Sequence, residues 1–226
     1  MRRGLRIIGL VTAAGLLAGC LAACEARRGR EDRGTHTSTH TSTHAGSRSE
    51  SRLRVLLDGP KGLPDGISPR PGEAWRVPFR VADRDCRAAL QPAGGRAPQR
   101  SLTAQAAASY QGDGVGEQVA VGLARYSGSE VESHLDALAE SLSQCQALRA
   151  PAGTRLRLRS LPVQAPGDQA VSARLRGRLR GYPYTMDVVL ARSGDTLVSV
   201  VHTGMARVEP GSTEKLVGAV MRMAGA

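Results

Sequence analysis

The sequence predicts an α+β domain, in which an antiparallel β-sheet of about six strands has two main helices packed on one face. In several segments apolar and polar residues alternate, and in two others apolar residues recur every three to four positions. The first pattern is typical of strands with one buried face, and the second of amphipathic helices. Their order along the chain, β-β-α-β-β-β-β-α, indicates an antiparallel sheet with helices on one side.

Four of these strands are predicted to form an antiparallel meander between residues 154 and 203. In the first two, arginines alternate with apolar residues, so the two sets should lie on opposite faces. The arginines are Arg155, Arg157 and Arg159, followed by Arg174, Arg176, Arg178 and Arg180. Residues 184–192 are apolar on both sides apart from Asp187, which is typical of a central, doubly covered strand. A two-residue turn near residues 181–183 would place Asp187 opposite Arg176 or Arg178.

The other segments predict the remaining elements. These are a short helix or strand at 53–57, a helix at 84–90, strands at 102–110 and 119–123, and helices at 130–148 and 213–223. Asp83 or Asp85 is expected to cap the helix at 84–90. Ser129 and Glu132 have the spacing of a capping box for the long helix. Its apolar stripe consists of Val131, Leu135, Leu138, Leu142 and Cys145.

Composition and charge favour one folded domain and a local concentration of positive charge. The chain has 226 residues, a net charge of +11 and only 3% aromatic residues, so its core must consist mainly of Leu, Val and Ala. Residues 150–192 contain eight arginines against two aspartates. The basic balance therefore belongs largely to the predicted meander.

The N-terminus has the features of an export signal. Arg2, Arg3 and Arg6 precede the apolar stretch 7–18, which ends in Leu17-Ala18-Gly19-Cys20. This sequence resembles a bacterial lipobox, whose cysteine becomes the lipid-bearing first residue of the mature protein. A second match ends at Cys24, but Cys20 is preferred because it keeps the apolar stretch at the usual length. Residues 1–19 are thus predicted to be a lipoprotein signal peptide, with a plain secretory signal as the alternative.

Residues 20–52 are predicted to be a disordered tether, and residues 53–226 the folded domain. The tether is rich in Arg, Glu, Ser, Thr and Gly and has no apolar periodicity. His36, His40 and His44 recur within a Ser/Thr repeat and offer imidazoles to a metal ion. Sequence of this composition does not hold them on one helix face, so a solvated linker is preferred and no metal site is predicted.

Cys86 and Cys145 are the only cysteines in the predicted domain. In an exported protein such a pair predicts a disulfide, here joining the short helix to the long one. A catalytic cysteine would need a histidine base, but His134 and His202 are in no recognisable arrangement and are expected to be partly exposed structural residues. The chain contains no Gly-x-Ser-x-Gly, His-Glu-x-x-His or phosphate-loop motif, so no catalytic residue or cofactor is predicted.

The alternating arginines have two interpretations. A solvated strand face with an ion pair to Asp187 is ordinary for an antiparallel sheet. Alternatively, Arg174, Arg176, Arg178 and Arg180 form an anion-binding face for lipid headgroups, wall polymers or an acidic protein partner. Nucleic acid is not expected as a partner, because the signal directs the protein out of the cytoplasm.

Several motifs, in this order, resemble a known family. They are the helix around Cys86, the helix ending at Cys145, Gly167-Asp168-Gln-Ala, and Val-Leu-Ala-Arg-Ser-Gly-Asp-Thr-Leu-Val at 189–198. Over about residues 53–224 the chain is similar to the PknH-like extracellular domain, the sensor module outside a mycobacterial receptor kinase. The resemblance implies an antiparallel sheet packed by helices, with a cleft for an unidentified ligand. The family domain has two disulfides, whereas this chain is expected to form one, and neither a kinase domain nor a transmembrane helix is predicted from the sequence.

Together these features predict a non-catalytic binding or sensor domain, held by a lipid on the extracytoplasmic face of the cell membrane. The alternative is a scaffold that contacts another envelope protein. A hydrolase whose site is built from distant residues is the least favoured class.

Overall fold

A seven-stranded antiparallel sheet forms the centre of the fold. The computed structural model describes residues 41–161, 169–205 and 208–225. The strands are β1 (Leu102–Gln111), β2 (Gln118–Tyr126), β3 (Ala147–Ala150), β4 (Thr154–Leu161), β5 (Gln169–Leu179), β6 (Tyr182–Ser193) and β7 (Thr196–Gly204). The helices are α1 (Thr41–Asp58), α2 (Arg84–Leu90), α3 (Glu130–Gln144) and α4 (Pro210–Ala224). The strand order is β1-β2-β7-β6-β5-β4-β3, so the predicted α+β class is confirmed.

Strands β4 to β7 form the predicted meander, because each pairs with the next in the chain. The β5–β6 turn consists of Arg180 and Gly181, with φ values of 50° and 88°. Positive φ at both central residues gives a two-residue turn whose twist suits a hairpin. The predicted position of this turn, near residues 181–183, was therefore wrong, and the register of β5 against β6 differs accordingly.

The seventh strand, β3, was not predicted from the sequence. The long helix was expected to continue to residue 148, but it ends at Gln144, with Cys145 as its C-cap. Cys145 is bonded to Cys86, and Leu148 is buried opposite Leu156 of β4. Pairing with β4 therefore replaces the last helical turn, because it buries Leu148 against the sheet.

The helices cover both faces of the sheet, so the prediction that they pack on one face was wrong. Val188 and Leu190 of β6 lie in one core with α2 and α3, whereas Val189 and Ala191 lie in a second core with α1 and α4. Successive side chains of a strand point to opposite faces. Because β6 and β7 are apolar on both sides, each of their faces requires a helical cover.

Helix α1 begins earlier than the predicted domain start at residue 53. Residues 41–52, assigned to the tether from their composition, are helical in the structure. The helix is held by Leu53 and Leu57, which are 1% and 2% exposed, and by the Tyr110 hydroxyl, which donates to the Leu57 carbonyl at 2.7 Å. Docking on β1 stabilises a helix that its own composition would not. The predicted signal peptide and the first part of the tether lie outside the described residues.

The predicted helix caps had different outcomes. Asp83 caps α2, since its carboxylate accepts from the Cys86 N–H at 2.7 Å. The capping box of α3 is absent: the Ser129 side chain makes no capping hydrogen bond, and only its carbonyl accepts from the Glu132 N–H. Ser129 has ψ 8°, away from the extended conformation that aims an N-cap side chain at the helix.

The predicted disulfide is present. Cys86 in α2 and Cys145 after α3 are bonded, with their Cα atoms 4.7 Å apart. The predicted stripe of α3 is buried in the same core. Among the described residues, no helix combines the length and the apolar character needed to cross a membrane.

Candidate anion-binding face

The arginines of β4 and β5 lie directly opposite one another. Antiparallel pairing matches Arg155 with Arg178, Arg157 with Arg176, and Arg159 with Arg174. Arg149 of β3 lies opposite Arg155 on the other side of β4. Directly opposite residues share a face of the sheet. The arginine face therefore consists of Arg149, Arg155, Arg157, Arg159, Arg174, Arg176 and Arg178.

This face belongs to the same side of the sheet as α1 and α4. Thr185 and Asp187 of β6 lie opposite Arg176 and Arg174, and Val189 and Ala191 continue the same side under α4. Within the described parts of the chain, the arginines of β3 to β5 are not covered by a helix. All except Arg174 are exposed.

Arg174 differs from the other arginines because it is paired with a buried carboxylate. Its Nε and Nη2 donate to the two oxygens of Asp187 at 2.6 and 2.7 Å, and Nη2 also lies 3.4 Å from the Val208 carbonyl. Asp187 is 1% exposed. The hydrogen bond to Asp187 raises the pKa of Arg174, an effect that its partial burial opposes. Among the described residues, no carboxylate forms an ion pair with the six exposed arginines.

Asp187 also begins a chain of buried polar contacts. The Thr213 hydroxyl donates to its second oxygen at 3.0 Å, and His202 Nδ1 lies 3.0 Å from that hydroxyl. His202 Nε2 lies 2.8 Å from Glu117 Oε1, in the loop between β1 and β2. The contacts thus connect β5, β6, α4, β7 and the loop between β1 and β2.

Both histidines are more buried than the sequence predicted. His202 is 1% exposed, and His134 is 8% exposed, with its Nε2 2.8 Å from the Arg100 carbonyl. Each ring fits among core side chains because its polar atoms have partners, which is the usual condition for burying them. Their expected partial exposure was therefore wrong.

Thr213, His202 and Glu117 do not form a nucleophile with its base. Thr213 has one hydroxyl hydrogen and donates it to Asp187, so His202 Nδ1 must donate to Thr213 rather than accept from it. A general base needs its free lone pair directed at the nucleophile. Thr213 is also buried, at 6% exposure. The geometry therefore supports a structural connection between α4 and the sheet.

The predicted anion-binding residues are only partly brought together. Arg176 and Arg178 lie on the arginine face, and Arg174 lies there in its ion pair with Asp187. Arg180 lies outside the strand, in the β5–β6 turn, where its N–H donates to the Thr154 hydroxyl at 3.4 Å. Asp187 lies opposite Arg174 rather than Arg176 or Arg178, because the turn falls at Arg180 and Gly181.

Four further arginines of the face were not among the predicted binding residues. Arg155, Arg157 and Arg159 alternate with leucines in the sequence, and that signal was visible. The alternation does not give the register of β4 against β5, which places these arginines opposite the β5 arginines. Arg149 was assigned to no element, because β3 was not predicted.

The described residues also line several hollows, two of which border the sheet. One, of about 290 Å³, lies between α3 and the ends of β4 and β5 and is lined mainly by apolar side chains such as Leu142, Leu158 and Val171. The other, of about 520 Å³, lies between α1 and β1. Neither contains a grouping of described His, Cys, Asp and Glu residues that could hold a metal ion.

Comparison with solved structures supports the expected fold. The extracellular domain of PknH from Mycobacterium tuberculosis matches with a TM-score of 0.53 and 13% identity, over 77% of this chain and 95% of that domain. The two domains share a fold. An uncharacterised Mycobacterium smegmatis protein, the Rv0999 ortholog, matches more weakly, with a TM-score of 0.39 and 16% identity over 76% of this chain and 83% of that one. No protein-family model matches the chain, and no curated protein sequence is significantly similar to it.

Proposed function

We propose that this chain is a lipid-anchored, extracytoplasmic binding domain without catalytic activity, and that its arginine face binds an anionic ligand. The fold shared with the PknH extracellular domain supports a location outside the cytoplasm. The Cys86–Cys145 disulfide is stable in oxidising compartments and supports the same location. The predicted lipobox at Cys20 supports the lipid anchor.

The observation that carries the proposal is the pairing of like charges across β3, β4 and β5. Like charges directly opposite one another destabilise a sheet. Here Arg155 has an arginine on each side, and Arg157 faces Arg176. Of the seven arginines of the face, only Arg174 has a carboxylate partner among the described residues. An anionic ligand would supply the missing charge, and arginine guanidinium groups bind phosphates and carboxylates through two parallel hydrogen bonds.

The test compares two double variants with the same change in net charge. Arg176→Glu with Arg178→Glu alters the arginine face, and Arg76→Glu with Arg80→Glu alters exposed positions of the arm before α2. We expect the first variant to elute from immobilised heparin, a generic polyanion, at clearly lower salt than the second, because only the first removes positive charge from the binding face. Salt competes with this attraction by screening exposed charges. Thermal unfolding should be alike in both.

Equal elution of the two variants would contradict the proposal, since retention would then reflect net charge alone. Retention by an immobilised acidic envelope protein, without retention on heparin, would favour the scaffold alternative.

A further inference from the structure

The chain enters the domain at the corner of the sheet farthest from the arginine face. Helix α1 lies along β1, the edge strand opposite β3, with Gly46 against Thr103 at the start of that strand. Five strand intervals of about 4.8 Å, or about 24 Å, separate β1 from β4. The start of β1 also lies near the β6–β7 turn, whereas Arg155 and Arg178 lie near the β5–β6 turn at the opposite end of the sheet. A lipid anchor ahead of α1 would therefore attach at the corner away from the arginine face.

The neighbouring helices restrict what can reach the arginines. Helices α1 and α4 rest on the same side of the sheet as the arginine face. A helix with its side chains is about 10 Å thick, so both helices stand above the exposed sheet beside them. A flat bilayer would meet α1 and α4 first. A narrow, linear ligand can lie beside α4 and along β4 and β5.

The arginines of β4 and β5 form two parallel lines. Facing Cα atoms in an antiparallel pair are about 5 Å apart, and successive arginines of one strand about 7 Å apart. Arg155 with Arg178 and Arg157 with Arg176 are therefore two facing arginine pairs, one behind the other. Arg178 Nη1 donates to the Gly181 carbonyl at 2.7 Å, and the other N–H groups of that guanidinium are left for a ligand. Arg149 and Arg159 flank them, and Arg174 is already engaged by Asp187.

This arrangement suits an anionic group that belongs to the polymer backbone itself. A phosphodiester has two free oxygens, one on each side of the chain, so a polymer between the lines can offer one oxygen to each guanidinium of a pair. Guanidinium groups match phosphate geometry. A carboxylate attached to a side branch presents its oxygens on one side only.

We propose that the arginine face binds a linear phosphodiester polymer of the cell-envelope type, lying along β4 and β5 with its phosphates between the facing arginine pairs. This inference rests on the proposed function and specifies the class of its ligand.

The experiment measures binding of the full chain, purified in a neutral detergent, to labelled poly(glycerol phosphate) at several salt concentrations. For single-stranded phosphodiesters, the logarithm of the binding constant changes by about −0.7 per phosphate neutralised for each logarithmic unit of salt. Because each facing pair holds one phosphate, we expect Arg157→Gln with Arg176→Gln to reduce the magnitude of that slope by about 0.7, and Arg76→Gln with Arg80→Gln to leave it unchanged. Arg155→Gln with Arg178→Gln provides a second pair, and thermal unfolding verifies the fold of each variant.

The comparison probes are polyglutamate with the same number of charges, vesicles of equal parts phosphatidylglycerol and phosphatidylcholine, and oligothymidylate. Tighter binding of poly(glycerol phosphate) than of polyglutamate and vesicles supports the inference, and equal or tighter binding of either overturns it while leaving anion binding intact. Similar affinity for oligothymidylate supports recognition of the phosphodiester, whereas a preference of about tenfold or more for oligothymidylate overturns the assignment to an envelope polymer. If no anionic probe responds to the arginine-face variants, the proposed function fails as well.

Discussion

At the scale of single residues, Asp187 is a buried carboxylate whose hydrogen bonds join three elements of the fold. It is almost fully buried, yet it accepts two hydrogen bonds from Arg174 and one from Thr213. A buried carboxylate is tolerated when its oxygens are paired in this way. Because its partners lie on β5 and α4, Asp187 connects the uncovered part of the sheet to the covered part.

Replacing Asp187 by alanine should reduce the free energy of unfolding by about 3 kcal/mol or more, because Arg174 would lose the partner of its partly buried charge. Arg176→Ala on β5 should change the free energy of unfolding little, since the Arg176 side chain is exposed. Urea unfolding of both variants measures the difference. Similar midpoints for the two would show that the ion pair contributes no net stability.

Ionisation of Tyr110 should make the stability of the domain vary with pH in the alkaline range. Burial, followed by the negative charge of Asp58, raises the pKa of Tyr110 above its ordinary value of 10.0. A raised folded-state pKa contributes stability that is complete below about pH 10 and declines as pH rises towards the folded value. Tyr110→Phe should therefore lose less stability between pH 9 and 11, about one unit either side of the ordinary tyrosine pKa.

At neutral pH the same variant should be less stable by about 1 to 2 kcal/mol, because the Leu57 carbonyl would lose its hydrogen bond. Tyr182→Phe is the control, since Tyr182 is 64% exposed. Melting temperatures of both variants and the wild type are measured across the pH series. Parallel curves for all three proteins would contradict the smaller alkaline loss of stability expected for Tyr110→Phe.

At the scale of elements, the disulfide joins α2 to the end of α3 and lies two residues before β3. The disulfide therefore lies at the point where the chain leaves α3 and turns to pair with β4. The cysteines are 59 residues apart, a separation worth about 4 kcal/mol in the chain-entropy model.

Removing the disulfide with Cys86→Ala and Cys145→Ala should lower the free energy of unfolding by about 2 to 4 kcal/mol. A reductant should lower the melting temperature of the wild type and leave that of the variant unchanged. Non-reducing peptide maps should join the two cysteine-containing fragments. Free thiols at both positions in the native protein would refute the pairing.

Gly122 shows how another element depends on close packing. The short 3-10 turn Pro92–Gly94 rests on β2, and a Cβ at position 122 would lie 2.0 Å from the Pro92 carbonyl oxygen. The turn can approach the sheet only because this residue is glycine. The sequence marks the glycine but not the segment that packs against it.

At the scale of the whole molecule, the arginine face and the start of α1 lie at different corners of the domain. The net charge is +11, and seven arginines lie on one uncovered part of the sheet. Helix α1, which the proposed anchor precedes, lies on the opposite edge strand. This separation suits a domain that presents the arginine face away from its own membrane.

The anchor itself is tested by single substitutions. Cys20→Ser should release the protein from the membrane fraction or leave an uncleaved precursor, because the lipid-bearing cysteine is lost, whereas Cys24→Ser should leave it membrane-bound. Fractionation with immunodetection compares the two. Acyl chains on Cys24 in a mass spectrum of the mature N-terminus would reverse the assignment.

The features predicted correctly are those encoded by local patterns. Alternation identified β1, β2 and the four strands of the meander, and the three-to-four spacing identified the buried stripe of α3. The disulfide followed from two cysteines remaining in an exported domain. Alternation also placed the β4 and β5 arginines on one side of their strands, because the side-chain period of a strand is independent of what lies beyond it.

What only the tertiary structure decided is how these elements meet. A period of two assigns a residue to a face, but its partner depends on register, and register depends here on Arg180 adopting a left-handed conformation in the turn. This turn places Asp187 opposite Arg174 and Thr185 opposite Arg176. Likewise, α1 forms because Leu53 and Leu57 are buried against the sheet and Tyr110 of β1, distant in sequence, donates to the Leu57 carbonyl. Contacts between distant segments leave no periodic trace in either segment alone.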